Sequence, residues 1–219
     1  MIDKIKNILE SALSLILPKE QNILKIESLS EEFIANELPR ANETNNPRFK
    51  AVFHYKDKTV RQAIWEIKYR GNRKILEKFV KALYEFILEE ISDEILFNNF
   101  HSPILIPIPA SKSSLKERGF NQCEIIVKEL CKIDGGKNFS ANLKSLRKIK
   151  ETKHQSKTRN KTQRLKNLEG CFEASTEKIK GKCVILIDDV ITTGATMNEA
   201  SKTLKKAGAK RVIGFAIGH

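Results

Sequence analysis

The sequence predicts an α/β fold: a parallel central sheet with helices on both faces, plus a small helical segment at the N-terminus. Three observations carry this expectation. PILIPIPASK (103–112) and KCVILI (182–187) are almost wholly apolar, as strands buried on both faces must be. Each leads into a stretch with helical spacing, GFNQCEIIVKELCK (119–132) and TGATMNEASKTLKKAGA (193–209). Strands and helices then alternate to the end of the chain, which is the pattern of a parallel sheet with crossover helices.

Each element follows from its own pattern. Ile2, Ile5, Leu9, Leu13 and Ile16 share one face of an amphipathic helix over 2–17. A polar stretch follows, and LPRANETNNPR (38–48), rich in Asn and Pro, reads as a linker or loop. Residues 1–48 thus form a helical segment with its linker, and 49–219 the main domain. FKAVFHY (49–55) has the aromatic and β-branched content of a strand. In KTVRQAIWEIKYRG (58–71), Val60, Ile64 and Ile67 define one helix face and Gly71 a stop. On this helix Trp65 and Tyr69 are expected in the core, where large aromatics usually lie. RKILEKFVKALYEFILEEI (73–91) is a longer helix, LKSLRKI (143–149) a short strand and KRVIGFAIG (210–218) the last strand.

Composition narrows the function classes. The chain has 219 residues, 40 basic and 27 acidic, for a net charge of +13. With 40% hydrophobic residues it can bury a core. No run approaches the length of a membrane span, and ALSLIL (12–17) is too short for a signal sequence, so the expected compartment is the cytoplasm. Cys123, Cys131, Cys171 and Cys183 lack zinc or disulfide spacing and read as buried thiols. Between Lys144 and Lys166 lie ten basic residues and one acid, Glu151, a concentration that implies a polyanionic partner.

The chemistry concentrates in VILIDDVITTGATMNEA (184–200). A buried strand delivers Asp188 and Asp189 to the carboxyl edge of the sheet, where ligands of open α/β sheets collect. Adjacent side chains alternate faces, so both acids reach one ligand only if the strand curls away there. Paired carboxylates need hydrogen-bond donors, and the vicinal diol of a ribose supplies two. Thr192, Thr193, Gly194, Ala195 and Thr196 then open a helix whose free amides and dipole favour a phosphate. Acids for a diol followed by a cradle for a phosphate describe a ribose 5-phosphate site.

This apolar strand, acid pair and VxTTGAT run resembles the phosphoribosyl pyrophosphate (PRPP) motif of type I phosphoribosyltransferases. The likeness extends to ComF-type competence proteins. PIPASKSSLKERGFNQCEIIVKEL (107–130) is similar to the stretch ending in RGFNQ in that family, and HYKDKTVRQAIWEIKYRG (54–71) to its Y–VR–KY–G pattern. Arg147, Thr152, Gln155, Arg164, Asn167, Gly170 and Phe172 echo a further signature, so the resemblance covers about residues 49–217.

The resemblance implies displacement of pyrophosphate from PRPP by a nitrogen nucleophile, with Mg²⁺ accompanying PRPP. It implies a ribose and 5-phosphate role for Asp188, Asp189 and residues 192–196, and a pyrophosphate loop at Ala110, Ser111 and Lys112 with Arg118 nearby. Lys150, Thr152, Lys153 and Gln155 fall in a loop with few apolar anchors, expected to close over the site. Any hood over the acceptor would have to come from residues 1–48. Two departures stand out. No cysteine precedes Cys123, so the family's zinc module is not carried over, and Ser114 stands where the family has Arg. Three functions stay open: a transferase, a competence factor binding single-stranded DNA through its basic loop, and a PRPP or nucleotide sensor.

Overall fold

The structure is a computed structural model that describes residues 21–151 and 168–219. The predicted helix over 2–17 lies outside the described residues, as do Thr152, Lys153 and Gln155. Helices α1 (Gln21–Ser28) and α2 (Glu31–Glu37) precede β1 (Phe49–Phe53). Helix α3 (Lys58–Trp65) continues into a π-helical turn (Glu66–Arg70), and α4 (Arg73–Asn98) follows. Next come β2 (Ile104–Pro107), α5 (Lys112–Arg118), α6 (Gln122–Asp134), β3 (Ser140–Ala141) and β4 (Leu146–Lys148). The chain closes with β5 (Phe172–Ala174), α7 (Thr176–Ile179), β6 (Cys183–Val190), α8 (Ala195–Lys206) and β7 (Arg211–Gly218).

Five strands form a parallel sheet in the order β1-β7-β6-β2-β3. Its centre is apolar on both faces. Ile185, Ile187, Ile213 and Phe215 join one core cluster with α3 and α4, and Val184, Leu186, Val212 and Ala216 join another with α8. That two-sided burial is why KCVILI shows no alternation. Helix α4 supplies the largest share of the first cluster, with Ile75, Leu76, Phe79, Val80, Leu83, Ile87 and Ile91 on one stripe. Among the described residues, no helix is long and apolar enough to cross a membrane.

The described part of the N-terminal segment is helical, as expected: it holds α1 and α2, from which Ile26 and Ile34 join the main core. Two expectations need correction. The 103–112 run is a strand only to Pro107, because Pro107 and Pro109 have no N–H to continue a ladder and Ser111 then caps α5. LKSLRKI does not enter the parallel sheet. Its Leu146–Lys148 pairs antiparallel with β5, so the described ends of the basic segment, at Glu151 and Leu168, adjoin a separate two-stranded ribbon.

Candidate functional site

The acid pair ends β6, and the strand does not curl before it. Asp188 stays in register with Ala216 and Val190 with Gly218. Oxygens of the two carboxyl groups and the Cys123 sulfur nevertheless lie within 4.8 Å of one another, and Asp188 Oδ1 accepts from the Asp189 amide at 2.9 Å and Asp189 Oδ1 from the Val190 amide at 2.8 Å. This corrects the expected mechanism of convergence, not the convergence itself.

Neighbouring elements hold both acids. The Cys123 thiol donates to Asp188 Oδ1 at 3.3 Å, and Gln122 Nε2 donates to Asp189 Oδ2 at 3.1 Å. Gln122 and Cys123 start α6, positioned by Asn121, whose side chain caps the helix and donates to the Ile108 carbonyl. From the other side, Lys68 Nζ pairs with Asp189 Oδ2 at 2.8 Å. The π turn after α3 carries Lys68, and Gly71 ends that turn in the left-handed conformation, φ 60°.

Burial sets the protonation states. Burial first, then the adjacent charge of Asp189, pushes the Asp188 carboxyl from its ordinary 3.8 up to about 7, against the opposing pull of the Asp189 amide, Cys123 and Lys68. Burial also works against the Lys68 charge, but the pull of Asp189 and Asp188 overcomes it and holds the ammonium above its usual range. Burial and then the two carboxylates keep the Cys123 thiol well up, in its protonated donor form. Asp189 is therefore the carboxylate with fixed partners, and Asp188 the one whose charge depends on what approaches.

Beyond the acids, Gly194 (φ 73°) opens α8, and no side chain caps the helix there. The Ala195 amide donates to the Thr193 hydroxyl at 3.4 Å. A cavity of about 240 Å³ adjoins this turn, lined by Thr192, Thr193, Gly194, Asn198, His219 and Arg48. An uncapped helix start facing a cavity with an arginine suits an anion. Ala195 is buried and Thr196 partly buried within the first turn.

The loop after β2 is set by Ser111, whose hydroxyl accepts from the Ser114 amide at 3.0 Å. Ser114 is buried in this cap, so the residue replacing the family's arginine faces the helix and offers no charge. Ala110 and Lys112 line a groove of about 620 Å³ with Lys144, Arg147, Lys148 and Lys178. The Lys112 amide donates to Glu151 at 2.8 Å, and Lys150 is described close to Gly170. Arg118 sits apart from this groove. Its Nη1 donates to Gln122 Oε1 at 2.7 Å, and its guanidinium lies over Tyr69.

Sequence reasoning missed Lys68, Gln122, Cys123 and Arg48. Lys68 and Gln122 stood within the quoted family patterns, but only the folded chain shows that both end at Asp189. Trp65 and Tyr69 are 42% and 43% exposed, against the expectation of a core position. The face carrying Val60, Ile64 and Ile67 already satisfies the core, which leaves these rings on the outer side of the helix.

A parallel sheet ending in paired acids beside an uncapped helix start defines a phosphoribosyltransferase-like protein. Residues 80–217 match the family described as Phosphoribosyl transferase domain. The chain is similar to Competence protein ComFC of Bacillus subtilis, 30% identical over 77% of this chain and 62% of that protein. It is also similar to Competence protein F of Haemophilus influenzae, 33% identical over 49% of this chain and 46% of that protein. A phosphoribosylpyrophosphate synthetase structure from Mycobacterium smegmatis aligns over 64% of this chain and 32% of its own, with TM-score 0.37 and 21% identity. The chain belongs to the phosphoribosyl transferase domain family and is similar to ComF-type competence proteins. The matches span less than two thirds of those two curated relatives' own length.

The raised Asp188 value has a consequence for stability. Its folded value lies above the unfolded one, so between about pH 4 and 7 the native protein holds a proton that the unfolded chain has released. Asp188 therefore costs stability progressively as pH rises through that window, and the cost is constant above it. The Tm of Asp188→Asn minus that of the wild type, in ligand-free protein, should grow from pH 4 to 7 and then level. A difference independent of pH would contradict the buried, neutral carboxyl.

Proposed function

We propose that the chain binds PRPP and transfers its phosphoribosyl group to a nitrogen acceptor. The observation that carries the reading is the convergence of Asp188 and Asp189 beside the uncapped start of α8. Asp188 and Asp189 accept from the ribose 2- and 3-hydroxyls, while the amides and hydroxyls of residues 192–196 hold the 5-phosphate, with Arg48 adding charge. Ala110, Ser111 and Lys112 receive the pyrophosphate end, with the charge of Lys150 on the same side.

The nitrogen lone pair bonds to the anomeric carbon as the carbon–oxygen bond to pyrophosphate breaks. The ring gains positive charge in this step, which the carboxylates offset, and the leaving group gains negative charge, which the loop cations offset. Mg²⁺ fits this donor set. Asp188 and Asp189 offer the hard carboxylate oxygens this ion takes, whereas Cys123 beside them is soft and protonated. When bound with PRPP it supplies further positive charge at the pyrophosphate.

A second reading is a competence role in which single-stranded DNA lies on the basic groove formed by Lys112, Lys144, Arg147, Lys148 and Lys178. That groove and the names of the two relatives favour it. Among the described residues no aromatic side chain lines the groove, so contact would be to phosphates alone and oligonucleotide affinity should fall steeply with salt. Affinity indifferent to salt excludes this reading.

For the transferase reading, PRPP with Mg²⁺ should raise the Tm of the wild type and leave Asp188→Asn/Asp189→Asn unmoved. Pyrophosphate release, screened across nucleobases and amines, should fall in that variant by about 100-fold or more, as when one preorganised electrostatic group is lost. A Tm shift surviving in the double variant overturns the site. A shift in the wild type with no release for any acceptor leaves the sensor.

A further inference from the structure

The described N-terminal helices join the body of the protein through a buried polar cluster. Asn72, which caps α4 by accepting from the Ile75 amide, donates its Nδ2 to Glu27 Oε1 of α1 at 2.8 Å. The same side chain hydrogen-bonds the Glu66 carboxyl, which is 1% exposed. Gln62 Nε2 donates to Glu66 Oε1 at 3.3 Å, and Arg70 Nη1 lies 3.4 Å from that oxygen. Burial pushes the Glu66 carboxyl up and the nearby charge of Glu27 adds to the push, while Arg70, Asn72 and Gln62 pull the other way. Lys78 Nζ closes the end of α1 by donating to the Glu27 and Leu29 carbonyls, each at 2.6 Å. One amide thus stands between two carboxyl groups from different elements.

The cluster sits at the root of the turn that reaches the acid pair. Glu66 opens the π turn, and the amides that close it, of Gly71 and Asn72, both donate to the Glu66 carbonyl. A single π turn is a rare conformation, found often at functional sites. Residues two apart on a helical turn do not share a face, so Glu66 meets Asn72 while Lys68 reaches Asp189 Oδ2 at 2.8 Å. A lysine carries its charge on a flexible four-carbon stem, and the ammonium is held best where its backbone is fixed. Here Asn72 is the fixing group, and α1 supplies its partner.

We propose that Asn72 and Glu27 are positioning residues for the acid pair, fixing the π turn and through it the Lys68 ammonium on Asp189. The described N-terminal helices then act on ligand binding from a distance. Without that hold Lys68 leaves Asp189, and the two carboxyl groups face each other with one donor fewer. The effect on binding rests on the proposed ribose 5-phosphate site, whereas the hold on Lys68 is independent of it.

Two readouts on the full-length protein separate these steps. The Lys68 ammonium should give its own NMR resonance, because pairing slows its exchange with water, and Lys68→Arg assigns that resonance by removing it. Ribose 5-phosphate affinity is read by calorimetry. Asn72→Ser keeps a helix-capping oxygen but loses the amide donor. It should abolish the resonance and weaken ribose 5-phosphate binding by about three- to thirtyfold, the range for a residue acting through others. Glu27→Ala should do the same, and Glu27→Gln, which keeps an oxygen for Asn72, should restore both. Lys81→Ala removes a different tie between α4 and the N-terminal helices, the pair with Glu31, and should leave both readouts unchanged.

Each failure has its own meaning. A wild-type protein without the Lys68 resonance refutes the inference, as does a resonance that survives both Asn72→Ser and Glu27→Ala. Loss of the resonance with unchanged affinity refutes the link to binding. Equal losses in Lys81→Ala refute it too, because any loosening of the helices then suffices. If Asn72→Ser does not fold, the comparison of Glu27→Ala with Glu27→Gln decides alone. If ribose 5-phosphate fails to bind the wild type, the ribose site falls, and the resonance still decides whether Asn72 and Glu27 hold Lys68.

Discussion

Two carboxylates on consecutive residues at the end of a buried strand repel each other and lose water, and the rest of the site exists to accommodate them. Asp189 is compensated by Lys68 and Gln122, approaching from the α3 turn and from α6. Asp188 has only the Cys123 thiol and a backbone amide, and it relieves the strain by holding its proton. The arrangement leaves Asp189 held by fixed partners and Asp188 pushed toward its protonated form. A vicinal diol, with two donors at fixed separation, fits that demand.

This constraint explains several otherwise unrelated features. The π turn after α3 is needed because it brings Lys68 to Asp189 while the core face of the same helix stays intact. Asn121 ties the start of α6, which holds the acids, to the loop after β2, which is expected to hold pyrophosphate. Cys123 is buried and protonated because a thiol is the small donor that Asp188 can face without acquiring a counter-charge.

Much of this was legible in the sequence. The apolar strand β2, the apolar stretch of β6 up to Ile187, the helix α6 and the TTGAT turn follow from patterning that no tertiary context had to override. The loss of legibility begins where two distant segments meet. Lys68 and Asp189 are far apart in the chain, and nothing in IKYRG says that its lysine points inward while its tyrosine points out. The polar composition before residue 38 left the bounds of α1 and α2 unmarked, because a short helix needs only a few buried positions such as Ile26 and Ile34. LKSLRKI has a strand's composition but not a central strand's partners, and only pairing separates the two. Trp65 was misplaced by its size, since bulk favours the core unless the core-facing stripe is already full.

The most direct test of the account is calorimetric titration of ribose 5-phosphate against 2-deoxyribose 5-phosphate, which differ by one hydroxyl at the acid pair. Removing a bond to a charged acceptor costs about 1.5–3 kcal/mol, so the deoxy sugar should bind roughly ten- to a hundredfold more weakly. Equal affinity for the two sugars would mean that the carboxylates do not face the diol.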